Sequence, residues 1–543
     1  MKSVIRIILF AGLFLISVLL LAPGMGFCHG SRPDPCNECG DLMLMDFGPL
    51  SSIISAEMVA ATETLPEHCL VVGNIAPEIG FAVQLPTEWN ERFYMAGGGG
   101  YAGRISYSGM NVGLGMGYAT ASTDTGHKAS EEPLATFAYD QKPLGQQKEI
   151  DYSFRAVHDT VVMAKKLINA YYCEPPVYSY WVGCSTGGRQ ALMEAQRYPS
   201  DFDGIIAGAP VLDFSGTQMW GVWNAQAIEG DGRIRIDQLD TLADAVYSNC
   251  DGEDGLVDGL IDDPRNCTFD PDIDLPKCED SSDPDCFTAA QREALKKIYG
   301  GVTTSSGELL FPGQPPGAEV FAPRSGWDGW VIREGTDGTP GSSNQLVYGE
   351  TFMQYMAFIP DAGPDYNWRD YNFDEDPQKM IYSSILDAVN PDLSAFKCLG
   401  GKMIGYHGWA DTALTPLMTV NYYEDVLGFM GDRETKEFYR LYMVPGMFHC
   451  RGGVGCDNVD WFTPLVNWVE KGKAPKAIIG AHIEDEDVTR TRPLCPYPKV
   501  AEYKGRGSID DAANFKCVDP DDDDHGCWRC NKKRKWRWRS DDD

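Results

Sequence analysis

Residues 178–198 constrain the fold of this chain more than any other stretch. YSYWVG is short and apolar, CSTGG supplies a turn, and RQALMEAQRYP places Leu192 and Ala195 at helical spacing. The segment reads as strand, sharp turn, helix. Gly183 and Gly187 stand two positions either side of Ser185 and permit a strained turn that presents the serine hydroxyl. The plain alternative is a glycine-rich turn without chemistry, since a chain with 58 glycines meets a three-position pattern by chance. The strand before the turn and the helix after it favour the strained turn.

Other segments repeat the strand half of that unit. GIIAGAP (204–210), KMIGYHG (402–408) and RLYMVPG (440–446) are apolar runs ending in glycine or proline, and the last two flank the helical stretch TPLMTVNYYEDVLGFM. Alternating strands and helices predict a mainly parallel sheet. Between 212 and 397 the rhythm breaks down into Asp, Gly and Pro, four cysteines and the aromatic clusters GWDGW (326–330) and DYNWRDYNF (365–373). So long a structureless stretch is improbable in a compact protein, so 212–397 reads as an inserted lid domain. It divides a catalytic domain into residues 30–211 and 398–518. The tryptophans of GWDGW and Trp368 suit either an aromatic ligand or a small lid core.

An exposed serine needs a base, and the base needs an acid that fixes its tautomer. In the α/β-hydrolase fold these follow in the order Ser, Asp or Glu, His, on loops after strands. Asp411 follows KMIGYHG and His449 follows RLYMVPG, so Ser185, Asp411 and His449 form the candidate triad. His407 and His482 compete for the base, and position favours His449.

Cys184 directly precedes that serine and Cys450 directly follows that histidine. With GGGGYAG (97–103), GCSTGGRQAL, DFDGIIAGAP, FPGQPPGAE (311–319), HGWAD and FHCRGG, the chain resembles the tannase and feruloyl esterase family from about residue 70 to residue 520. The resemblance implies a Cys184–Cys450 disulfide behind the triad; the competing pair is Cys450–Cys456. It implies an oxyanion hole from the Thr186 amide and one amide of the glycine loop, Gly98 or Gly99. It also implies an ester of an aromatic acid as substrate, of feruloyl, galloyl or terephthalate-monoester type.

The run CDGEDGLVDGLIDDPRNC (250–267) sets Asp251, Asp254 and Asp258 in one short loop, hard oxygen ligands of the kind calcium takes, although the spacing is not that of an EF-hand. The resemblance adds the backbone carbonyls of Leu256 and Leu260, a Cys250–Cys267 closure, and a structural rather than catalytic role for the ion. An acidic surface turn is the plain alternative.

The first residues carry Lys2 and Arg6, then an apolar run from Ile7 to Leu21 and small residues to Gly26, which reads as a signal peptide over 1–29. Export to a secreted or periplasmic location suits the 17 cysteines, and Cys39, Cys69, Cys278, Cys286, Cys495 and Cys517 are further disulfide candidates. The net charge of −33 would repel phosphate backbones and argues against nucleic acid. No stable membrane insertion is expected once the signal is removed. Residues 519–543 read as a charged tail, in which His525, Cys527 and Cys530 are weak zinc candidates. The sequence therefore predicts a secreted serine esterase. A serine peptidase, another carboxylesterase, or a calcium-dependent binding protein without catalysis are the alternatives.

Overall fold

Along the central strands, successive side chains enter two different apolar clusters, and this alternation builds the molecule. Phe93, Met95, Trp181, Ile205 and Met403 enter one; Tyr94, Ala96, Tyr180, Ile206 and Ile404 enter the other. A period of two with both sets buried is the pattern of a sheet covered by helices on both faces. The computed structural model describes residues 33–520 apart from 280–282, 321, 324 and 336–338, so the signal segment and the charged tail lie outside the described residues.

The main sheet has strands β1 (Ser51–Val59), β2 (His68–Ile75), β3 (Ile79–Pro86), β4 (Arg92–Ala96), β5 (Ala119–Thr123), β6 (Tyr178–Cys184), β7 (Gly204–Gly208), β8 (Lys402–Gly408) and β9 (Tyr439–Val444). Their order is β1-β2-β3-β5-β4-β6-β7-β8-β9. Pairing is parallel from β5 through β9 and antiparallel among β1, β2, β3 and β5. Helices α1 (Ala156–Tyr172) and α2 (Thr186–Arg197) cover one face, and helices over Tyr107–Gly115 and Phe462–Lys471 cover the other. This is the α/β-hydrolase architecture expected from the strand-turn-helix unit. The antiparallel β1–β3 edge was not foreseen.

Between β7 and β8 the chain leaves the sheet. Residues 212–397 hold helices, including α3 (Phe214–Ala227), and a short hairpin of Val302–Thr303 with Leu309–Phe311. Part of this segment packs in a separate apolar cluster, where Leu239, Leu242, Phe287, Leu295 and Trp327 join Ala410 and Phe448 from the loops after β8 and β9.

Six disulfides tie the described residues: Cys36–Cys173, Cys39–Cys69, Cys184–Cys450, Cys250–Cys267, Cys278–Cys286 and Cys495–Cys517. The Cys450–Cys456 alternative is thereby overturned, because Cys450 is bonded to Cys184 and Cys456 is a buried free thiol. The Cys36–Cys173 bond was not anticipated. It joins the chain ahead of the first strand to the end of α1.

Candidate active site

Ser185 sits at φ 63° and ψ −123°, a conformation a non-glycine residue adopts only under strain, at the junction of β6 and α2. The flanking glycines explain how the turn closes. A Cβ on Gly183 would meet the Gly187 carbonyl oxygen at 2.5 Å, so the strand and the first turn of the helix come together only without a side chain there. Thr186 opens α2, and the first amides of a helix have no intrahelical acceptor.

Asp411 and His449 stand on the loops after β8 and β9. The His449 Nδ1 lies 2.7 Å from Asp411 Oδ2, and the other carboxylate oxygen accepts from the Ala413 and Leu414 amides at 2.8 and 3.1 Å. His407 also reaches Asp411 Oδ2, with Nε2 at 3.0 Å, while its Nδ1 meets the Thr419 hydroxyl at 2.7 Å. Burial of Asp411 works against its charge, yet His449 and His407 outweigh it and hold the carboxyl well below the usual carboxylate range. That direction suits a carboxylate bonded to two histidines. His407 had been set aside as a rival base; it is a second partner of the acid. The four-residue separation from Asp411 inside HGWAD was the available signal.

Ser185, Thr186, His449, Cys184 and Cys450 line one cavity of about 340 Å³. The Cys184–Cys450 bond holds the two loops with their Cα atoms 6.1 Å apart, across 266 residues of sequence. His482 is elsewhere, beside Asp457 and Glu484.

The glycine loop after β4 forms another wall, and the two candidate amides are not equivalent. The Gly98 amide donates to Gln190 Oε1 at 3.0 Å, whereas Gly99 and Gly100 line the cavity. The Gly100 carbonyl accepts from the hydroxyls of Thr186 at 2.5 Å and Tyr152 at 3.0 Å, which fixes the loop against α2. Behind it the fully buried Arg189 donates to the carbonyls of Tyr152, Ser153 and Leu386, and its guanidinium lies 4.7 Å from the centre of the Tyr152 ring.

The inserted segment closes the cavity. Trp330 stands edge-on to His449 with ring centres 5.8 Å apart, and Tyr348, Phe214 and Gln345 complete that side. Trp327, from the same GWDGW motif, is buried in the separate cluster that also holds Ala410 and Phe448, and Trp368 is buried in the main one. Gln314 of FPGQPPGAE donates to the Asp411 carbonyl at 3.0 Å and Gln345 to the Thr412 carbonyl at 2.7 Å, so the insertion grips the acid loop.

The acidic loop lies apart from this cavity. Asp251 accepts from the amides of Asp258 and Gly259, Asp254 from Leu256, and Asp258 from Leu260 while its other oxygen pairs with Arg492 at 2.6 Å. Burial raises the Asp254 carboxyl, with the like charges of Asp258 and Asp251 adding to it. These oxygens are of the hard type a divalent cation takes, and here they are held by backbone amides and by Arg492.

The chain is 35% identical over 538 residues to an uncharacterized esterase of Xanthomonas campestris pv. campestris, covering 89% of this chain and 91% of that protein. It is 34% identical over 532 residues to the mono(2-hydroxyethyl) terephthalate hydrolase of Piscinibacter sakaiensis, covering 86% and 87%. Its fold is similar to the crystal structure of feruloyl esterase B from Aspergillus oryzae, with a TM-score of 0.78 at 26% identity over 88% of this chain and 99% of that one. The tannase and feruloyl esterase family model matches residues 63–518, and the chain accordingly belongs to that family of carboxylic ester hydrolases.

Proposed function

We propose that the protein is an exported serine esterase acting on esters of aromatic acids through an acyl-enzyme. Ser185 attacks the ester carbonyl while His449 takes its proton, and Asp411 keeps the imidazole in the tautomer whose Nε2 accepts. The tetrahedral oxyanion is stabilised by the Thr186 and Gly99 amides; the Gly98 amide is engaged with Gln190. His449 then protonates the departing alcohol. Water, deprotonated by the same histidine, releases the acid.

The observation that carries this reading is a strained serine and a histidine on one cavity, with a buried aspartate 2.7 Å from that histidine. Support for an aromatic acyl group comes from Trp330, Tyr348 and Phe214 on the cavity wall and from similarity to proteins named for terephthalate and feruloyl esters. Six disulfides suit an oxidising compartment, which supports export. Calcium is proposed as a structural ion held by Asp251, Asp254, Asp258 and the carbonyls of Leu256 and Leu260. It would supply charge compensation to the loop and take no part in the chemistry.

The test is hydrolysis of a panel of methyl hydroxycinnamates, gallates, terephthalate monoesters, simple acetates and peptide amides by wild type and Ser185→Ala. Turnover of aromatic esters that vanishes in the variant is expected. Turnover retained by Ser185→Ala overturns the nucleophile, and a preference for acetates or amides overturns the substrate class.

A further inference from the structure

At the far end of α2 from Ser185, three side chains meet outside the esterase cavity. Among the described residues, His158, Glu194 and Asp201 are a group whose potential ligand atoms all lie within 4.8 Å of one another. His158 comes from α1, Glu194 from the last turn of α2, and Asp201 from the loop leading to β7. Glu194 is nine residues beyond Ser185, about 13 Å along the helix axis.

Glu194 is the group that needs explaining. It is 1% exposed, and neither carboxylate oxygen has a hydrogen-bond partner. An unpartnered buried carboxyl is costly, and the negative end of a helix dipole adds to the cost. Lys165 is nearby, but its ammonium donates to the Asp201 backbone carbonyl at 2.6 Å. A cation held among Glu194, Asp201 and His158 would give the Glu194 oxygens the partner they lack.

The other two side chains are already oriented. His158 Nδ1 lies 2.6 Å from Asp201 Oδ2, and its ring stacks on Tyr198 with centres 3.8 Å apart and planes 8° from parallel. The His158 side chain is 29% exposed, which leaves a way in for an ion and room for water ligands.

We propose that His158, Glu194 and Asp201 bind a divalent transition-metal ion that pins α1, α2 and the loop before β7 together. One imidazole and two carboxylates make a donor set that suits zinc, with water filling the remaining position. Binding replaces the hydrogen bond between His158 and Asp201 and gives the Glu194 oxygens a partner. The site is structural. Its distance from Ser185 keeps it out of the ester chemistry.

The experiment is a zinc titration of the full chain after chelation, by calorimetry and thermal melting, with excess calcium held constant throughout. Wild type is expected to bind one equivalent and to melt at a higher temperature with zinc, and both effects should disappear in His158→Ala. That variant alters a partly exposed ring and is expected to fold; Glu194→Gln, tested in parallel, should also lose the zinc-dependent rise. If wild type binds no zinc at this stoichiometry, Glu194 instead shares a proton with Asp201, and the proposal is overturned. It is equally overturned if the equivalent survives in His158→Ala, since the ion then sits on other ligands, such as His525, Cys527 and Cys530 of the tail.

Discussion

Asp411 is bonded on both oxygens, to two histidines and two amides, and this density makes His407 testable. Removing the ring in His407→Ala leaves Asp411 and Thr419 each short of a partner in a fully buried position, a loss of ~1–3 kcal/mol. The sign of the pH effect follows from the depressed Asp411 carboxyl. A folded-state value below the unfolded one contributes stability that is complete above about pH 4 and is lost as pH falls through the folded value. Without His407 that value rises toward the ordinary range. Acid unfolding of His407→Ala, followed by circular dichroism, should therefore begin at a higher pH than in wild type, and an unchanged midpoint would show that His407 does not hold the acid.

At the scale of elements, the helix Gly145–Ile150 carries a buried carboxyl with the opposite behaviour. Glu149 is 1% exposed, and burial, with the charge of Asp361 adding, pushes its carboxyl up to about 9. Here the folded value exceeds the unfolded one, so stability declines as pH rises from about 4 toward 9. Glu149→Gln mimics the neutral form and should raise Tm at about pH 8 while changing it little at about pH 5, as read by scanning calorimetry. Equal effects at both pH values would mean that Glu149 does not titrate in this window. The loop 250–267 yields another prediction: chelation should lower Tm, and Asp254→Ala should reproduce that loss without altering the substrate preference. If melting and metal content are both unmoved by EDTA, the loop is an acidic turn.

For the whole molecule, the bond from Cys184 to Cys450 closes the longest loop of the six and encloses the insertion, β8 and β9. Its chain-entropy contribution is on the order of 5 kcal/mol. Because it joins the neighbours of Ser185 and His449, mild reduction should abolish ester hydrolysis before global unfolding, with activity and circular dichroism followed together. Coincident loss would make the bond a stability device alone. Much of this architecture was legible in the sequence: β6, β7, β8 and β9, the turn at Ser185, and the order of Asp411 and His449 all follow from local patterns. Side-chain period and glycine sterics act over a few residues and leave their mark in the string. Other features had no such mark. Gly98 differs from Gly99 only because Gln190, on α2, reaches one amide; Trp330 faces His449 while Trp327 enters a core because the insertion packs that way. His158 meets Asp201, and Cys36 meets Cys173, because α1 lies across the sheet. Turn and period are short-range properties of the backbone that the sequence by itself determined, whereas partners far apart in the chain were decided only by how the layers stack in the tertiary structure.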